Sequence, residues 1–130
     1  DHGSISGQRA IRRRVLVVDD NVDAAEMLAS LVRAMGGAAE TASDGHQAIE
    51  RAAAFAPDTI FLDIGMPSMD GYETCRRLRR ERFGKDAMIV ALTGWGQERD
   101  KQRAAEAGFD GHLTKPADPA ELTRLLTASV

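Results

Sequence analysis

Cysteine is nearly missing from this chain of 130 residues: there is one, Cys75. A lone cysteine excludes an internal disulfide framework and is compatible with a reducing cytosol. Long hydrophobic runs are missing too. No apolar stretch approaches the roughly 20 residues needed to cross a bilayer, and the opening stretch DHGSISGQRAI lacks the hydrophobic core of a signal peptide. The expectation is a soluble, unexported, cytoplasmic protein that makes no membrane contact. An excess of positive charge is also lacking, since the formal net charge is -3 and the isoelectric point is about 5.6. Binding a phosphate backbone needs a net basic footprint, so nucleic acid is not the expected partner.

What is present is enough apolar material, 43% of the residues, for one ordinary core and one domain. The polar, Gly- and Ser-containing residues 1–11 read as the end of a linker or a tail, leaving 12–130 as the domain. From Arg14 onward, short β-type runs alternate with helical patterns. The runs are RVLVV (14–18), AAETA (38–42), TIFLD (59–63), MIVAL (88–92) and GHLT (111–114). Three of them are nearly continuous apolar stretches, as strands covered by helices on both faces require.

Helical periodicity is clearest from Val22 to Met35, where Leu28, Leu31, Val32 and Met35 recur at three- and four-residue steps before Gly36-Gly37. Further helices are expected over 45–55, 71–82, 97–107 and 118–128. The fourth has only alanines for an apolar face, so it should bury little, dock loosely and be the most mobile element. Five β-α units imply a parallel sheet with right-handed crossovers, and they are too few for an eight-stranded barrel.

In open α/β sheets, sites form beyond the carboxyl ends of the strands. The first run ends in Asp19-Asp20, the third in Asp63, the fourth in Thr93 and the fifth in Lys115-Pro116. Partly buried unit charges about 4 Å apart repel by roughly 4 kcal/mol at an effective dielectric near 20, so three converging acids need compensation. Lys115 supplies one positive charge; a hard divalent cation such as Mg²⁺ would supply two. Asp63 as a mere turn cap is the blander alternative, but it would leave four coincidences at four strand ends unexplained.

With VLVVDDN, FLDIGMPSMDG, ALTG and HLTKP in order, residues 13–130 resemble the receiver domains of two-component response regulators. The resemblance implies a flavodoxin-like, doubly wound five-stranded parallel sheet of order 2-1-3-4-5 with five helices. It implies that Asp63 is the phosphoacceptor, that Asp19, Asp20, Asp63 and the carbonyl of Gly65 hold Mg²⁺, and that Thr93 and Lys115 contact the phosphoryl group. It also implies a cis Lys115–Pro116 bond. Phosphoryl transfer to a carboxylate is catalysed mainly by positioning and charge neutralisation, which such a set provides.

Several residues are ambiguous. His112 stands three before Lys115, where a switch aromatic is common in the family; it reads equally as a polar switch partner of Thr93 or as a half-buried strand histidine. Trp95 either shields the phosphoryl group or anchors a partner, with the partner reading preferred. His46 reads as a surface histidine, Cys75 as a packed thiol beside Tyr72 and Leu78, and the arginines at 76, 77, 79, 80 and 82 as a solvated helix face.

Among functions, a signalling module that accepts phosphate from a phosphohistidine leads. Its expected partner is a histidine kinase dimerisation domain or a histidine phosphotransfer domain. The TGWGQ loop and Gly65 resemble receivers of hybrid histidine kinases or phosphorelays, with a stand-alone or N-terminal receiver of a regulator as the alternative. An aspartate-nucleophile phosphatase is disfavoured because its second acid, in Asp-x-Asp, is replaced by Gly65. A degenerate docking scaffold is disfavoured by the complete acid, Thr and Lys set.

Overall fold

The computed structural model describes residues 13–66, 69–81, 84–94 and 101–127. Strands β1 (Arg14–Val18), β2 (Ala38–Ala42), β3 (Thr59–Asp63), β4 (Met88–Thr93) and β5 (Gly111–Thr114) alternate with helices α1 (Val22–Ala34), α2 (Gly45–Phe55), α3 (Gly71–Arg80), α4 (Lys101–Ala107) and α5 (Pro119–Thr127). Every strand pair is parallel and the order is β2-β1-β3-β4-β5, the flavodoxin-like sheet expected from the sequence.

Alternation along the strands divides the core in two, because successive side chains leave opposite faces of a sheet. Leu16, Val18, Ile60, Leu62, Ile89 and Ala91 pack against α2, α3 and α4 through Ala48, Ala52, Tyr72, Cys75, Leu78 and Ala104. Val15, Val17, Phe61, Val90 and Leu92 pack against α1 and α5 through Leu28, Val32, Leu122 and Leu126. Burial on both faces explains why β1, β3 and β4 are apolar at nearly every position.

Side-chain caps start the helices that border the site. Asn21, Asp44 and Asp70 each accept from the amide three residues on, filling one of the unpaired donors of a first turn. At the sheet edge, two β2 carbonyls are covered by guanidinium groups from opposite layers. Arg33 Nη2 donates to Ala39 O at 2.8 Å and Arg51 Nη1 to Thr41 O at 2.5 Å, blunting an edge open to strand addition.

Some local expectations change. β4 runs one residue further, to Thr93; α3 ends at Arg80, and α5 begins one residue later than expected, at Pro119. Residues 1–12 and 97–100 lie outside the described residues, as do Trp95 and Arg82. The arginine run is not uniformly solvated. Arg79 is held by the carbonyls of Gly84, Ala87 and Gly108, because its position on α3 turns it toward the β4 and β5 ends rather than outward. The Lys115–Pro116 bond is cis.

Candidate functional site

Parallel strands deliver their carboxyl ends to one edge, so the residues following β1, β3, β4 and β5 meet there. Oxygens of Asp19, Asp20 and Asp63 all lie within 4.8 Å of one another. Asp19 is only 1% exposed and Asp63 6%, whereas Asp20 is open to solvent. Lys115 Nζ lies 3.3 Å from Asp19 Oδ2 and 3.5 Å from Asp63 Oδ2.

The two buried carboxylates are held in the same way. The amide of Asn21 donates to Asp19 Oδ1 at 3.0 Å, and that of Gly65 to Asp63 Oδ1 at 3.0 Å. One oxygen of each acid is thus fixed by the chain two residues on, and the other faces the ammonium. Neither carboxylate can turn without breaking a charge-assisted hydrogen bond.

Burial pushes the Asp63 carboxyl above its ordinary value of 3.8; the Gly65 amide opposes this, the negative charge of Asp19 adds to it, and Lys115 opposes it. For Lys115, burial acts to lower the pKa, but Asp63 and Asp19 outweigh it and hold the ammonium above its usual 10.5. Lys115 is therefore charged at neutral pH, and this one ammonium, against Asp19 and Asp63, leaves the three-aspartate cluster with an excess of negative charge. That excess of oxygen ligands and negative charge fits a hard divalent cation, which Asp19, Asp20 and Asp63 could hold.

Thr93 ends β4, one residue beyond Leu92, the register partner of Asp63. Its hydroxyl is buried without a hydrogen-bond partner among the described residues. Leaving such a group unpaired costs about 1–3 kcal/mol, so a site that later receives an oxygen-rich group has a reason to keep it. His112 is half-buried on β5 opposite Ala91. His46 is exposed, and Cys75 is fully buried.

Sequence reasoning places partner docking beside the first helix but does not single out the exposed apolar residues there. Met27 is 66% exposed and Val22 62%, the two large exposed hydrophobics among the described residues. A groove of about 360 Å³ lies next to Met27 and is bordered by Asp19, Asn21, Lys115, Pro116 and Ala117. Met27 falls off the stripe made by Ala25, Leu28, Ala29 and Val32, so a helical-period count could have isolated it. Val22, in the first turn, carries no such mark.

The family model of the response regulator receiver domain matches residues 15–127. A probable histidine kinase of Oryza sativa is 38% identical over 120 residues, covering 80% of this chain but 12% of that protein. The transcriptional regulator RpaA of Synechocystis is 34% identical over 84% of this chain and 45% of its own length. The chain therefore spans half or less of these curated relatives. Among solved structures, the receiver domain of a sensor histidine kinase from Pseudomonas aeruginosa, with magnesium coordinated in its active-site cleft, superposes with a TM-score of 0.80 at 31% identity, covering 90% of this chain and 96% of that one. A receiver domain of a Saccharomyces cerevisiae response regulator, crystallised with its histidine phosphotransfer protein, gives 0.81 at 27% identity, covering 92% and 89%. With the strand order, the acidic strand ends and the family match in agreement over the same residues, this chain belongs to the response regulator receiver domains of two-component signalling.

Proposed function

We propose that Asp63 accepts a phosphoryl group from a phosphohistidine. The carrying observation is the placement of its buried carboxylate at the end of the central strand, 3.5 Å from Lys115 and within a three-aspartate cluster. In the transfer, the Asp63 oxygen forms a bond to phosphorus as the phosphorus–nitrogen bond of the donor breaks, and the departing imidazole nitrogen takes up a proton. Lys115 neutralises phosphoryl charge, and the Thr93 hydroxyl donates to a phosphoryl oxygen. Asp19, Asp20, Asp63 and the Gly65 carbonyl would hold Mg²⁺, whose role when bound is to neutralise charge on the phosphoryl oxygens. Thr93, with His112 on the adjacent strand, is the switch pair.

Residues 12–130 form the receiver and 1–11 a linker or tail. The working context is a cytoplasmic hybrid histidine kinase or phosphorelay, in which a histidine-bearing kinase or phosphotransfer domain docks over Asp63. The magnesium-bound kinase receiver and the yeast receiver–phosphotransfer complex support this reading by similarity. The exposed Met27, which lines the groove that reaches Asp19 and Lys115, and the exposed Val22 on the same helix offer that partner an apolar foothold without nucleic acid or membrane contact.

The test is labelling with phosphoramidate. Wild-type protein in Mg²⁺ should gain one phosphoryl group by intact mass and lose the reaction on chelation, and Asp63→Asn should gain none. Equal labelling of the Asn variant would remove Asp63 from this role.

A further inference from the structure

We infer that Arg103 is a latch through which the seating of α4 follows the state of Asp63, an inference that rests on phosphorylation of that residue. The starting observation is the contact between α3 and the backbone of the acceptor. A Cβ on Gly71 would lie 2.5 Å from the Asp63 carbonyl oxygen and 2.5 Å from Ile64 Cα, and the Gly71 amide points to Ile64 O at 3.4 Å. The first turn of α3 thus abuts the acceptor's own backbone with no gap to absorb a displacement, and packed interiors respond to such a push by repacking as a unit.

The next residue, Tyr72, is 4% exposed, and its ring is met by Arg103 of α4 and by Phe109, two residues beyond the end of that helix. The Arg103 guanidinium carbon stands 4.1 Å from the ring centroid, and the Phe109 ring meets it edge-on at 6.2 Å and 87°. Arg103 Nη2 also lies 3.9 Å from Asp70 Oδ2, while the other oxygen of Asp70 caps α3 through the Glu73 amide at 2.9 Å. Both partners of Arg103 therefore sit in the α3 turn that touches Asp63.

On the core side, Ala104 and Ala107 are the buried residues of α4 among those whose side chains are described. Two methyl groups remove so little area from water that one cation–π stack is comparable to the whole apolar attachment. A phosphoryl group on the Asp63 carboxylate adds bulk and negative charge to the side chain, beside Lys115, of the residue whose backbone meets Gly71 without a gap. The shift moves Asp70 and Tyr72 together, and Arg103 loses its stack.

Amide hydrogen exchange of residues 104–107 in the whole chain tests this, with mass gain from phosphoramidate monitored in the same samples. In wild type, phosphorylation should speed exchange of this segment at least three-fold, while α5 amides stay unchanged. Arg103→Leu should exchange fast before phosphorylation and change less than two-fold after it, with its labelling by phosphoramidate within two-fold of wild type. Arg103→Lys, which keeps the charge without the planar stack, should fall between them. A phosphorylated wild type whose α4 exchange is unchanged, or an Arg103→Leu protein that responds as wild type does, overturns the latch. Absence of mass gain would instead defeat the phosphoacceptor reading and with it the dependence on Asp63. Equal exchange of unphosphorylated wild type and Arg103→Leu would defeat the latch alone.

Discussion

Arg79 grips the carbonyl oxygen of Gly108 with two donors, Nε at 2.9 Å and Nη2 at 2.7 Å. The same guanidinium reaches Gly84 O at 3.0 Å, Ala87 O at 2.6 Å and Asp110 Oδ2 at 2.7 Å. One side chain of α3 thereby ties together the turns that lead into β4 and β5, at the sheet edge opposite the acidic cluster.

Arg79→Met should therefore destabilise the fold by about 2–3 kcal/mol, since half-buried carbonyls lose charged donors. Arg80→Met, one residue on and exposed, should stay within about 0.5 kcal/mol of wild type. Urea unfolding of the two variants decides the point. Equal midpoints would mean that water replaces the guanidinium without loss.

The raised Asp63 pKa makes a prediction about pH. The folded protein binds this proton more tightly than the unfolded chain, so stability falls as pH rises from the unfolded value of 3.8 through the raised folded one, and the penalty is complete above it. Asp63→Asn removes the penalty. At pH 7 its thermal midpoint should lie a few degrees above wild type, and the difference should vanish below about pH 4. Mg²⁺ should stabilise wild type more than the variant. A variant less stable than wild type at pH 7 would show that pairing with Lys115 outweighs the cost of burying the acid.

Cys75 is 0% exposed and its thiol is pushed up to about 11, first by burial. At neutral pH, iodoacetamide should modify it at least about 1000-fold more slowly in folded than in urea-unfolded protein, because both thiolate and access are suppressed. Comparable rates would contradict the packing of α3 on the sheet.

Docking of a histidine-bearing partner should depend on α1 rather than on the acidic cluster alone. Met27→Lys places a charge on an exposed apolar spot without disturbing the core stripe, so phosphoryl exchange with a cognate histidine domain should fall about tenfold, or about 1.4 kcal/mol. Labelling by phosphoramidate should be unchanged. Glu26, also exposed on α1, already pairs with Arg33 at 3.4 Å, so its charge reversal would mix a local effect with the interfacial one. Unaltered exchange by Met27→Lys would place the partner elsewhere.

The sequence by itself determined the alternation of strands and helices, because continuous apolar runs and the helical period are local patterns set by burial on two faces and on one stripe. It also identified Asp19, Asp20, Asp63, Thr93 and Lys115 as a group, since a parallel sheet must bring its strand ends to one edge. What only the tertiary structure decided depends on contacts between residues distant in the chain. Arg79 looked like its neighbours in a basic run, yet its partner Gly108 is twenty-nine positions away. Tyr72 and Arg103 carry no pattern that joins them, and Gly71 reads as an ordinary turn glycine until the Asp63 backbone is found against it. Periodicity shows which way a side chain faces, whereas the identity of its partner is fixed by how the helices pack over the sheet.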